Sequence, residues 1–97
     1  MFAHWGTFAK QASLQNALVM ADGAMQRFGL TIWNNSHDND YIVIGGNGQV
    51  IVCVACVPQQ TNTWMVVHAC STDSNLAEQA RNQIRTAIIN MISFDDN

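Results

Sequence analysis

Apolar residues recur in two different rhythms along the chain, and the changes between them mark out helical and extended segments. From Phe8 to Phe28, Leu14, Leu18, Ala21, Met25 and Phe28 follow alternating steps of four and three residues. That spacing puts them on one stripe of an amphipathic helix. Gly29 comes next and is a natural C-terminal stop. Gly23, inside the same segment, costs about 1 kcal/mol relative to alanine, which a close approach between helix and sheet would explain.

A second helix is expected over SNLAEQARNQIRTAIINMI, residues 74–92, where Leu76, Ala80, Ile84, Ala87, Ile88 and Met91 keep helical spacing. Asp73, Ser74 and Asn75 are all competent N-caps, and Asn75 with Glu78 has the form of a capping box. Glu78, Arg81 and Arg85 then share a solvated face on which Glu78 can meet Arg81.

Between the helices lie four runs of strand character, LTIWN, YIVIG, QVIVCVACV and TWMVVHAC, separated by NSHDND, GNG and PQQTN. The separators are rich in residues that accept or enforce turns. Asn47-Gly48 is the strongest hairpin signal, since a type I′ turn needs positive φ at both central residues. The expected fold is α+β: one domain over residues 1–97, with a four-stranded antiparallel meander sheet flanked by N- and C-terminal helices. The order is α-β-β-β-β-α, with the helices mainly on one face.

A two-residue turn at Asn47-Gly48 sets Ile44 opposite Ile51 and Ile42 opposite Cys53. An even loop after Val57 sets Cys53 opposite His68, Ala55 opposite Val66 and Val57 opposite Trp64. One face then holds Tyr41, Val43, Val50, Val52, Val54, Cys56, Met65, Val67 and Ala69 and belongs under the helices. The other holds Ile42, Ile44, Ile51, Cys53, Ala55, Val57, Trp64, Val66, His68 and Cys70. The Cys53-x-x-Cys56 spacing is incidental, because residues three apart on a strand point to opposite sides of the sheet and cannot grip one ion or close an unstrained disulfide.

If both helices cover the first face, the second is left as an apolar patch on the order of 300 to 350 Å². Two such patches stacked remove about 650 Å², short of the roughly 1,000 Å² of a convincing interface unless edge strands or loops join in. Three arrangements follow: a homodimer through this face, a pocket or groove wall for a small apolar or aromatic ligand or a protein partner, or one helix on each side of the sheet. Trp64, Val66, His68, Cys53, Ile51 and Ile44 are the candidate partner- or ligand-binding residues. Trp64 is the preferred aromatic anchor, while Trp33 is read as plain packing and Trp5 as part of a loosely held terminus.

Composition narrows the function. The chain has 97 residues, 48% hydrophobic and 11% charged, and its four basic residues are scattered against seven acidic ones for a net charge of −3. That leaves no clustered cationic patch for nucleic acid. No apolar run is long enough to span a membrane, and no basic leader precedes one, so a soluble, unprocessed cytoplasmic protein is expected. Three cysteines cannot all pair within the chain, and free thiols are the simplest reading.

Cys53, His68 and Cys70 share a face and are suitable zinc ligands, but no fourth ligand is evident and small buried cysteines commonly serve as core filler. Neither a metal nor another cofactor is therefore expected. A cysteine–histidine pair in mid-strand lacks an orienting third group and oxyanion donors, which argues against catalysis. SHDND, at 36–40, lacks the glycine and distant glutamate of a calcium loop. GGNG, at 45–48, precedes a strand and opens no helix, so it is no phosphate cradle.

The runs GGNGQVIVCVACVP, TWMVVHACS and AEQARNQIRTAI together resemble small α+β proteins of unknown function found in bacteria, including products of mobile integron gene cassettes. The resemblance covers the chain from about Gly29 to Ile92 and rests on structural motifs, so it carries no catalytic residue across. It implies a compact cytoplasmic domain, often oligomeric. The combined expectation is a non-catalytic homodimeric binding module, or alternatively a small-ligand protein with a pocket between sheet and helices.

Overall fold

The N-terminal segment is extended where a helix was expected to begin. The computed structural model describes residues 1–34 and 41–91; the 36–40 segment and the end of the expected second helix at 92 lie outside them. Along the chain come β1 (Phe2–Lys10), α1 (Leu14–Arg27), β2 (Thr31–Ile32), β3 (Ile42–Gly46), β4 (Val50–Pro58), β5 (Thr63–Ser71) and α2 (Ser74–Asn90). The strands form one antiparallel sheet in the order β1-β5-β4-β3-β2. The α+β class holds, but the sheet has five strands, the order is β-α-β-β-β-β-α, and the first helix starts at Leu14 and not near Phe8.

The reason β1 does not read as a strand is visible in what covers it. Its inward positions are Phe2, His4, Gly6, Phe8 and Lys10, and of these only Phe8 is buried. Phe2 is exposed, and His4 and Lys10 make polar contacts with α2. His4 Nε2 lies 3.0 Å from Ser74 Oγ, and Lys10 Nζ donates to the carbonyls of Ile89 and Met91 at the far end of the helix. Arg81 and Arg85 lie across the strand between these clamps, and the Arg85 guanidinium sits 5.4 Å from the Phe8 ring centroid, within cation–π range. They are therefore not on a solvated face with Glu78. A Cβ on Gly6 would stand 3.1 Å from the Cδ of both arginines, so the absent side chain makes room for their stems.

β4 and β5 show the alternation that β1 lacks. Val50, Val52, Val54 and Cys56 on β4, Met65, Val67 and Ala69 on β5, and Val43 on β3 are at most 2% exposed. They share one core with Leu18, Ala21 and Met25 of α1 and Ala80, Ile84 and Ile88 of α2. Both helices thus bury their apolar stripes on the same side of the sheet, with α1 over β3 and β4 and α2 over β1 and β5. Tyr41, assigned to this face by its parity, is instead exposed just before β3.

The helix ends are locally specified. Ser13 caps α1, accepting from the Asn16 amide. At the other end Gly29 has φ +97°, its amide donates to Gln26 O and that of Leu30 to Met25 O. This is a Schellman arrangement with buried Leu30 packed behind it. For α2 the cap is Asp73, which accepts from Asn75 and Leu76; the capping-box alternative at Asn75 is not used. Gly23 does not mark a helix–sheet contact, since an added Cβ there would meet nothing within 4 Å.

One register differs from expectation. The β4–β5 pairing is as read, with Cys53 opposite His68, Ala55 opposite Val66 and Val57 opposite Trp64. Across β3–β4, however, Ile44 faces Cys53, Ile42 faces Ala55 and Gly46 faces Ile51, a slip of two residues. Gly48 does not take positive φ. Instead Asn47 Oδ1 accepts from the amides of Gln49 and Val50, while the Asn47 amide donates to Val50 O. The side chain closes the turn around Gly48-Gln49, a job asparagine performs without left-handed backbone. Because the slip is even, every residue of the hairpin stays on its expected face.

Candidate functional site

The unhelical face of the sheet is built from four strands. β4 supplies Ile51, Cys53, Ala55 and Val57; β5 supplies Trp64, Val66, His68 and Cys70; β3 supplies Ile42 and Ile44. β1 adds Ala3, Trp5, Thr7 and Ala9, facing Cys70, His68, Val66 and Trp64 in turn. None of these side chains is a carboxylate, ammonium or guanidinium. Trp5 is 61% exposed, Val57 50%, Ile42 41%, Ile51 40% and Trp64 38%. An uncharged surface with this much exposed aliphatic and indole area is the kind that marks an interaction site.

All six sequence candidates, Trp64, Val66, His68, Cys53, Ile51 and Ile44, fall on this face. Cys53 lies between Ile44 and His68 on its neighbouring strands, while Ile51 pairs with Cys70 and Trp64 with Val57. The pattern overlooked Trp5, whose ring centroid is 6.2 Å from that of His68. Trp33, read as plain packing, is 52% exposed. A Cβ on Gly46 would come within 2.9 Å of the Trp33 ring, so the glycine lets the indole lie against the sheet beside β3. The one available signal for Trp5 was the aromatic and β-branched content of FAHWGTF, too weak without alternation.

The far edge of the sheet is finished by a side chain. β2 pairs with β3 through only two residues. Beyond it Asn34 takes over: its Nδ2 donates to Ile42 O and its Oδ1 accepts from the Ile44 amide, at 2.8 and 2.9 Å. The Asn34 amide group thus stands in for a peptide unit and continues the ladder along β3.

The thiols are placed for packing more than for chemistry. Cys56 points into the core and Cys53 to the open face, as the strand parity requires. Burial, with a smaller contribution from Cys53, pushes the Cys56 thiol up to about 12. Burial also raises Cys53, and neighbouring Cys70 adds to it. Both are thereby held in the protonated form, the poorer nucleophile and metal ligand. Cys53, His68 and Cys70 are neighbours on the face, yet among the described residues no three histidine, cysteine or acidic side chains converge closely enough to hold a metal ion.

Among the described residues no helix is long and apolar enough to cross a membrane. No protein-family model matches the sequence, and no curated protein shows significant similarity to it.

Proposed function

We propose that the protein is a non-catalytic interaction module that pairs with a second copy of itself through the unhelical sheet face. The observation that carries this reading is the extent of that face once β1 is included. Three nine-residue strands and one of five residues, at about 3.4 Å per residue and 4.8 Å between strands, give an area on the order of 500 Å². Two such faces stacked remove about 1,000 Å², the size at which a specific interface becomes credible. Without β1 the same reckoning gives about 375 Å² per face and about 750 Å² for a stacked pair, so β1 supplies the difference. Trp5, Trp33 and Trp64 are the anchors, and Cys53, Val66, His68, Ile51 and Ile44 fill the space between them. The resemblance implies a compact, often oligomeric, bacterial cytoplasmic domain, which is compatible with this reading, and the four scattered basic residues argue against a nucleic-acid partner.

A ligand pocket between sheet and helices has less support. That layer is filled by Leu18, Met25, Val52, Val54, Val67 and Ile84, each at most 1% exposed.

Sedimentation velocity over a range of concentrations tests the proposal, with Trp64→Ala and Trp5→Ala as variants. A dimer that dissociates in both variants, with the circular dichroism of the wild type retained, supports it. A wild-type monomer at high concentration, or a dimer indifferent to both changes, sinks it.

A further inference from the structure

Gly23 sits in the interior of α1, where glycine costs about 1 kcal/mol relative to alanine, and packing against the sheet does not require it. Beside it is a groove between α1 and α2, of about 650 Å³, within the range of small-molecule sites. Its walls are mainly Val19, Met20, Ala87 and Met91. Val19 is 58% exposed there and Met20 forms the buried floor. A Cβ at position 23 would meet no other atom within 4 Å, so a side chain there would begin in open space beside the groove. Along α1 the groove runs from Asn16 to Arg27, about 16 Å at 1.5 Å per residue. Arg27 stands at its end, exposed in the last turn of the helix, and makes no side-chain hydrogen bond or ion pair among the described residues. A long apolar trough ending in a free guanidinium is complementary to one chemical type.

We propose that this groove binds a single-chain amphiphile with an anionic head, a fatty acid in the simplest case. The acyl chain lies over Gly23 between Val19 and Met91, and the carboxylate meets Arg27. This site is on the helical side of the sheet and does not depend on the dimer.

Titration calorimetry with dodecanoate, below its micelle concentration, is the test. One chain binds per protomer. Gly23→Leu fills the trough and abolishes binding; since leucine is the better helix former, the variant keeps its helical circular dichroism. Gly23→Ala, which adds one methyl group in open space, weakens binding severalfold and serves if the leucine variant misfolds. Arg27→Gln weakens it by about two- to fivefold, the scale of an exposed ion pair, and dodecyltrimethylammonium binds less well than dodecanoate. None of the three tryptophans lines the groove, so their fluorescence stays constant. The proposal is overturned if dodecanoate gives no binding heat, or if binding survives both Gly23 variants and is lost in Trp64→Ala, which would put the chain on the sheet.

Discussion

Arg81 Nη1 donates to the main-chain oxygen of Trp5 at 2.8 Å, and one turn along α2 Arg85 Nη2 does the same for Thr7 at 3.2 Å. β1 is the last strand of the sheet on that side, and an edge strand with free carbonyls is a template for pairing with another chain. The two arginines occupy the acceptors of Trp5 and Thr7 along that edge.

Replacing both, as Arg81→Gln with Arg85→Gln, is expected to lower stability by about 1 to 2 kcal/mol, since the bonds are charge-assisted but largely exposed. Urea unfolding measures that loss. The same variant is expected to form larger, concentration-dependent species in sedimentation, as the uncovered edge recruits further strands.

Gly23 and Gly29 should respond to alanine with opposite signs. Gly23→Ala meets no atom within 4 Å and is expected to stabilise by about 0.5 to 1 kcal/mol through helix propensity. Gly29→Ala forces a side chain into the left-handed backbone that closes α1 and is expected to destabilise by about 1 kcal/mol. Thermal unfolding of the pair separates the two effects.

Gly45 is the least replaceable glycine. A Cβ there would stand 2.3 Å from the main-chain oxygen of Thr31, an approach no real side chain makes. Gly45→Ala must push β2 away from β3, breaking the pairs of Thr31 with Gly46 and Ile32 with Gly45. A loss of about 2 kcal/mol or more is expected, with hydrogen exchange accelerating first at the Trp33 amide, which donates to Ile44 O.

Cys56 should leave a signature in alkali. Its thiol ionises near 9.0 when unperturbed and at about 12 in the fold, so the folded state holds the proton more tightly. The stabilisation this provides is complete below pH 9 and is lost as pH rises from about 9 to 12. Unfolding free energies across that window should fall more steeply for the wild type than for Cys56→Ala. At pH 8, with the protein folded, Cys56 should remain unmodified by iodoacetamide.

The legible parts of the fold were those in which residue spacing alone assigns a side chain to one side of its element, or in which a cap residue acts locally. α1 and α2 follow from their stripes, Gly29 from its position, and the two faces of β4 and β5 from strand parity and the β4–β5 register. The candidate face was legible for the same reason, because parity alone assigns Cys53, Val66 and His68 to it. β1 was hidden because its inward partners come from seventy or more residues away and are polar or basic: His4, Gly6 and Lys10 make sense only once Ser74, Arg81, Arg85 and the end of α2 are present. Trp5 was lost with it. Turn chemistry defeated the β3–β4 register, since Asn47 can act through its backbone or its side chain and the letters Asn-Gly do not distinguish them.

The asparagine-closed hairpin also sets what length changes this protein can absorb. Because its side-chain clasp, and not a fixed left-handed dipeptide, holds the tip together, residues could be added or removed there in pairs, and the valines would keep their places against the helices. A single added residue would invert β3, turning Val43 outward and driving Ile42 and Ile44 beneath α1. Parity at this tip, more than the identity of its residues, separates a tolerated insertion from a ruinous one.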